Sequence, residues 1–242
     1  MAALKWDESG TRFYENGVDH GVLYVMKSDG TYDNGVAWNG LTTVTESPEG
    51  AEPNDLWADN IKYATLYSTE TFGATIEAYT YPEEFAQCDG SYVPVAGIYF
   101  GQQQRKAFGF SYRTKVGNDA GLDSYKLHIV YNCKASPSEK SYETINDSPD
   151  AITFSWEVTT TPVTSAGGKK KPLSTITIDV NQYVNSVTGA QKTAREAAIS
   201  SLEDSLYGTQ SSEPTLPSPD AVVALLSTAS TVTTYDTATE GL

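Results

Sequence analysis

Histidine is the usual general base near neutral pH, and the chain has only two, His20 and His128. His128 falls on the polar face of an alternating run, and His20 sits beside the Asp19-Gly21 turn. Neither accompanies a nucleophile in an elbow such as G-x-S-x-G, so both are expected to be solvated or hydrogen-bonded. The adjacent carboxylates Glu83 and Glu84 would point about 100° apart on a helix and would not face one substrate as a glycosidase pair does. Cys88 and Cys133 have no metal-ligand spacing and read as reduced, partly buried apolar groups, with a disulfide left open by the sequence. The segment Asn118-Asp119-Ala120-Gly121-Leu122-Asp123 has too few alternating oxygens for a calcium loop of the EF-hand kind. The basic run Gly167-Gly168-Lys169-Lys170-Lys171-Pro172 lacks the phosphate-binding P-loop spacing and reads as a solvated turn between strands. No catalytic residue, metal ligand or cofactor is assigned, and the chain is expected not to be an enzyme.

The elements that would position such residues are mostly strands. Turn dipeptides recur at Asn16-Gly17, Asp29-Gly30, Asn34-Gly35, Asn39-Gly40 and Asp89-Gly90, with a further cluster at Gly117 to Gly121. Between them the period is two. Phe108, Phe110, Tyr112, Thr114 and Val116 share one face of a half-buried strand. Tyr125, Leu127, Ile129, Tyr131 and Cys133 repeat the pattern, as do Ile152, Phe154, Trp156 and Val158, and then Ile176, Ile178 and Val180. Such strands predict a mainly β fold, an antiparallel sandwich or barrel with one face free. A short helix is expected near residues 82–88, opened by Pro82 and stopped by Asp89-Gly90. Thr188 and Gln191 read as a capping box ahead of Ile199, Leu202 and Leu206, and Gly208 ends that helix. Beyond a Pro- and Ser-rich linker from Ser211 to Pro217, Ser218 and Pro219 begin another helix, and the Thr- and Ser-rich tail from Ser227 is expected to be mobile. The division expected is a β domain over 1–185 and a helical segment with its tail over 186–242.

One stretch does not fit a closed domain. Between Asn39 and Asn60 no strand alternation or helical stripe is evident, yet the segment carries large apolar groups. Long structureless loops in compact domains are usually functional or disordered, and disordered ones are poor in such groups. Residues 39–60 therefore read as an arm that packs on another subunit, with Ile61 onward returning to the sheet. The candidate interface residues are Trp38, Leu41, Val44, Pro48, Pro53, Leu56 and Trp57.

The chain has 16 Lys and Arg against 31 Asp and Glu, a net charge of −15. That argues against a protein that grips nucleic-acid phosphates, which needs clustered bases. Seven acids and no base lie between Lys27 and Lys62, while twelve of the 16 bases fall from Arg105 to Arg195. An acidic arm and a more basic middle would let copies pair head to tail, and solvated faces explain the same pattern. The start, MAALKWDESG, lacks the features of a leader, and no run approaches a membrane span. Without a leader, the sequon at Asn146 carries little meaning.

The chain resembles the major tail (tail tube) proteins of long-tailed bacteriophages and prophages of Gram-positive hosts. The resemblance rests on GVAWNGLTTVTESPEGAEPNDLWADNIKYA from Gly35, ATIEAYTYPEEFAQCDG from Ala74, GQQQRKAFGFSYRTKVGND from Gly101 and YKLHIVYNCKASPSEKSYETINDSPDAITFSWEVTTTPV from Tyr125. It covers most of residues 20–165, with a looser end in LEDSLYG and LPSPDAVVALL. It implies a β-sandwich subunit that closes into homohexameric rings, which stack into a tube for DNA ejection. The implied partners are other copies of the chain, the tape-measure, tail-tip and tail-terminator proteins, and passing DNA held without specific binding. The implied location is the virion, with assembly in the bacterial host cytoplasm and no membrane anchor. The tyrosines, 16 in all, favour one alternative, a carbohydrate-binding β-sandwich of a tail tip or cell-surface adhesin.

Overall fold

The computed structural model describes residues 4–142, 144–145, 150–164 and 172–228. The Lys169 to Lys171 run, the sequon at Asn146 and the tail from residue 229 lie outside them. In chain order the strands are β1 (Phe13–Val25), β2 (Val36–Trp38), β3 (Leu41–Glu46), β4 (Pro53–Ala58), β5 (Ile61–Tyr67) and β6 (Gly73–Ala78). A 3-10 turn (Glu83–Gln87) precedes β7 (Tyr92–Val95), β8 (Ile98–Phe100), β9 (Phe108–Asn118), β10 (Asp123–Ala135), β11 (Phe154–Thr160) and β12 (Thr175–Asp179). Helices α1 (Val180–Asn185), α2 (Ala190–Tyr207) and α3 (Pro219–Thr228) follow.

The mainly β expectation holds. An antiparallel sheet runs β2-β1-β9-β10-β11-β6-β3, with β12 also paired to β10. The strands at the two ends of that path, β2 and β3, are joined by Asn39 and Gly40 alone. The sheet must therefore curl until its ends meet, and β3 lies so close to β1 that a Cβ on Gly21 would strike Leu41. Inside the curl, Trp38, Phe85, Phe110 and Trp156 pack with ring centroids 4.6–5.6 Å apart, joined by Leu23, Val25, Ile76 and Phe108. Aromatic pairs at such separations add to the area they bury.

The outer face is not free, contrary to the half-buried expectation. Val22, Tyr24, Leu127, Ile129 and Tyr131 pack there against Ile199, Leu202 and Leu206 of α2 and Val222 of α3. Half of β1 thus alternates between two cores, Leu23 and Val25 inward, Val22 and Tyr24 outward. The linker ahead of α3 is fastened to the sheet: Gly35 N–H donates to Pro214 O at 2.8 Å and Tyr131 Oη to Pro217 O at 3.0 Å.

Two local readings are corrected. Asn16-Gly17 is a bulge inside β1, with Gly17 at φ 65°, and joins no hairpin. The alternation in β10 flips at Asn132 (φ 50°), where the register slips between Val130 and Cys133. Tyr131 therefore faces the helices while Cys133 joins Val130 in the inner core. Both cysteines are buried free thiols, and burial pushes Cys88 up to about 12.

The helical expectations hold with one exception. The turn at residues 83–87 follows Pro82, and Gly208 (φ 77°) ends α2. Ser218 caps α3, its Oγ accepting from Ala221 N–H at 3.3 Å. The capping box fails because α2 starts at Ala190 with Gly189 at its cap and no side-chain bond there.

Candidate subunit-interface surfaces

The segment expected to be a structureless arm is two strands. β3 pairs along β6 and belongs to the main sheet, while β4 pairs, among the described residues, with β5 alone. The turn between β4 and β5 is Asp59-Asn60, with both residues at positive φ (50° and 62°), as a two-residue hairpin turn requires. At its base, Glu49 N–H donates to Thr71 O at 2.9 Å and Thr71 N–H to Glu49 O at 2.8 Å, so the ribbon leaves the sheet as a closed antiparallel pair. Ile61 onward does not return to the sheet. It forms β5, and the chain rejoins the sheet only at β6.

Pairing assigns the ribbon's faces. Asn54↔Leu66, Leu56↔Ala64 and Ala58↔Ile61 are opposite one another, and alternate residues share a face. That face carries Leu56, Ala58, Ile61, Ala64 and Leu66 with no charge. The other holds Asp55, bound by Lys62 at 2.7 Å and Thr65 at 2.8 Å, with Trp57 and Tyr67. The Lys62 and Thr65 bonds hold the Asp55 carboxyl below its ordinary value. Every β4 residue is exposed, Trp57 at 69%. A lone two-stranded ribbon is marginal in water, and this one leaves Leu56, Ile61 and Leu66 exposed among the described residues.

A second ribbon, β7–β8, also pairs with nothing else among the described residues. Its pairs Tyr92↔Phe100 and Val95↔Ile98 share one face, and all four side chains are exposed. From Ser91 to Gln104 the sequence carries no charged residue.

The candidate interface residues divide accordingly. Trp38 is 3% exposed and central to the inner core, and its Nε1–H donates to Thr80 O at 3.0 Å. Leu41 and Val44 pack against that core. Those three are corrected to packing residues of the chain's own fold, because β2 and β3 close the sheet. Pro48, Pro53, Leu56 and Trp57 are exposed. Sequence reasoning missed Ile61, Tyr63, Leu66 and Tyr67 of β5 and the whole β7–β8 ribbon. Asp59-Asn60 and Ala96-Gly97, each between apolar runs, were the available signals.

The polar clusters of the sheet hold strands and helices together. His128 is buried, stacked on Tyr112 at 4.6 Å, with Nε2 bonded to Thr114 Oγ1 at 2.9 Å and Nδ1 3.4 Å from Glu46 Oε1. Tyr112 Oη donates to Glu46 Oε1 at 2.6 Å, and burial raises the Tyr112 phenol. His20 lies against Asp19 and Tyr207, beside Arg113. Burial would raise Asp19, but bonds from Arg113 and His20 hold it below its ordinary value. Near the 3-10 turn, Asp89 takes Lys140 Nζ at 2.6 Å and Arg105 Nη1 at 3.4 Å. Among the described residues, no three His, Cys, Asp or Glu side chains group as metal ligands, and no helix is long and apolar enough to cross a membrane.

No family model matches the chain, and no curated protein matches it. Among solved structures it is similar to a chain of the anti-feeding prophage (AFP) baseplate, determined by electron cryo-microscopy with six-fold symmetry imposed. The match covers 66% of this chain and 93% of that chain, at 7% identity and a TM-score of 0.33.

Proposed function

We propose that this chain is a structural, non-enzymatic subunit of a phage-type tail, which assembles into homohexameric rings stacked as a tube around passing DNA. The observation that carries this reading is the β4–β5 ribbon, whose aliphatic face leaves Leu56, Ile61 and Leu66 exposed among the described residues. A tube needs one lateral contact whose rotation closes and one axial contact that repeats without closing. Two exposed ribbons, each with unpaired strand edges, supply surfaces for both. The net charge of −15 disfavours retention of DNA phosphates in the lumen. The ends of such a tube would meet tape-measure, tip and terminator proteins within the virion.

Negative-stain microscopy of the purified full chain tests the proposal. Hollow tubes or stacked six-fold rings are expected, with no retention of duplex DNA in a gel shift at moderate salt. A chain that stays monomeric at high concentration would sink it. The exposed Trp57, Tyr63 and Tyr67 favour one other reading, a glycan-binding module, because aromatic faces are suited to sugar rings. Sugar-dependent binding by a monomer on a glycan array would select that reading.

A further inference from the structure

A cavity of about 760 Å³ opens where β1, β9 and β10 meet α1, with Phe13, Tyr14, Val116, Glu15 and Lys126 on the strand side and Asn181, Gln182, Asn185 and Ser186 on the other. That size is within the range of pockets that bind ligands or side chains. Tyr14 lies close against bare backbone: a Cβ on its cross-strand partner Gly117 would come within 2.7 Å of the ring. Phe13 and Tyr14 nevertheless remain more than half exposed in the lone chain. The cavity's charges are already engaged, Lys126 with Glu15 and Asp179 with Gln182 N–H at 2.8 Å.

We propose that this cavity receives the tip of the β7–β8 ribbon, Val95 to Ile98, from a second copy of the chain. The inference rests on the self-assembly reading and names one of its contacts. Copies that each carry a charge of −15 repel, so they meet most favourably through surfaces poor in net charge. The β7–β8 ribbon has no charged residue from Ser91 to Gln104, and it presents Tyr92, Val95, Ile98 and Phe100 on one face. The cavity is its counterpart, aromatic and low in net charge, with Lys126 paired to Glu15 and Asp179 left as its one uncompensated charge. The β4–β5 ribbon fits less well, because Asp55, Asp59 and Lys62 would enter with it. A ribbon on one copy seated in a cavity on the next is a heterologous contact, the kind that builds rings or filaments.

Engineered thiols test the pairing in the full chain, because Cys88 and Cys133 are 0% and 1% exposed and give no background. Ala96→Cys at the ribbon tip and Asn185→Cys at the cavity rim both replace exposed residues. The two variants, purified separately, mixed and mildly oxidised, are expected to form a disulfide-linked pair that neither forms alone. Adding Ile98→Asp to the Ala96→Cys chain is expected to cut the cross-linked fraction about ten-fold or more, since a seated unpaired carboxylate opposes docking. Tubes or rings without the mixed cross-link would overturn this contact and leave the assembly reading standing. A monomer without cross-link would overturn both. Slower maleimide labelling of monomeric Asn185→Cys by N-acetylglucosamine oligomers or phosphatidylglycerol vesicles, in place of the cross-link, would give the cavity to a glycan or a lipid surface and overturn the proposal.

Discussion

Glu46, the last residue of β3, connects three strands through its carboxylate. It accepts from Tyr112 on β9 and faces His128 on β10. The His128 contact holds the Glu46 carboxyl below its ordinary 4.5, burial opposes this, and the Tyr112 bond adds to it. A group whose folded pKa is depressed contributes stability that is complete above the unfolded value and is lost as pH falls through the folded one. Glu46 therefore supports the curled sheet above about pH 4.5 and ceases to do so in acid. The melting temperature of Glu46→Gln is expected to fall less steeply than that of the parent chain between about pH 6 and pH 3.5. Asp19, depressed in the same direction, keeps some slope in the variant. Identical slopes would refute the role given to Glu46. Asp89 gives a second test at this scale, because Arg105 and Lys140 both converge on it. Asp89→Ala removes the carboxylate both cations share, leaving, among the described residues, Arg105 only the Ala135 and Ser136 carbonyls and Lys140 only the Tyr81 ring, and is expected to cost about 1–3 kcal/mol in urea unfolding; a change under a few tenths would show the cluster to be replaceable.

The two ribbons differ from the sheet in what their side chains bury, and two tryptophans show it. Trp38 on β2 sits among Phe85, Phe110 and Trp156, so Trp38→Ala is expected to cost ~3–5 kcal/mol of stability. Trp57 on β4 touches no such core, and Trp57→Ala is expected to shift stability by no more than about 0.5 kcal/mol while weakening assembly. Equal losses of stability would contradict the division. Excision is a harder test of the element. The bonded pair Glu49 and Thr71 already brings the base of the ribbon together, so replacing residues 50–70 with Asn-Gly should leave a folded chain that no longer forms tubes. Unimpaired tubes would remove the ribbon from the interface.

The sequence made the ribbon's apolar content visible but not its strands. Leu56 and Trp57 are adjacent apolar residues on opposite faces of an exposed strand, so no period-two signal exists to read. In β3 the register slips between Leu41 and Thr43, which puts Leu41 and Val44 out of alternation although both pack on the core. The same effect at Asn132 gave Cys133 the wrong face. By contrast, Phe108, Phe110 and Tyr112 keep an unbroken period and lie in the inner core as expected. Ile199, Leu202 and Leu206 likewise mark the buried stripe of α2. Local periodicity reports an element where nothing interrupts its ladder. What covers its other face is set by distant residues, here the helices that close over β1, β9 and β10.

At the scale of the whole molecule, the proposed assembly sets the exposed apolar ribbons, which would favour association, against a net charge of −15 that opposes it. The two have opposite responses to salt. Screening shortens the reach of repulsion between copies from about 30 Å at 0.01 M to about 8 Å at 0.15 M, while burial of the β4–β5 and β7–β8 faces is not weakened by it. Assembly driven by the ribbons is therefore expected to grow as sodium chloride rises from about 0.01 to 0.15 M, with more of the chain sedimenting as rings or tubes at fixed protein concentration. Head-to-tail attraction between the acidic segment Lys27–Lys62 and the more basic stretch Arg105–Arg195 makes the reverse forecast, because screening weakens attraction as it weakens repulsion. The described ion pairs favour the first outcome. Arg105, Arg113, Lys126 and Lys140 are each engaged within their own chain, which leaves fewer of the central bases to attract a neighbour. Dissolution of assemblies on adding salt would show that charge pairing governs the contact and would displace the apolar ribbons from that role.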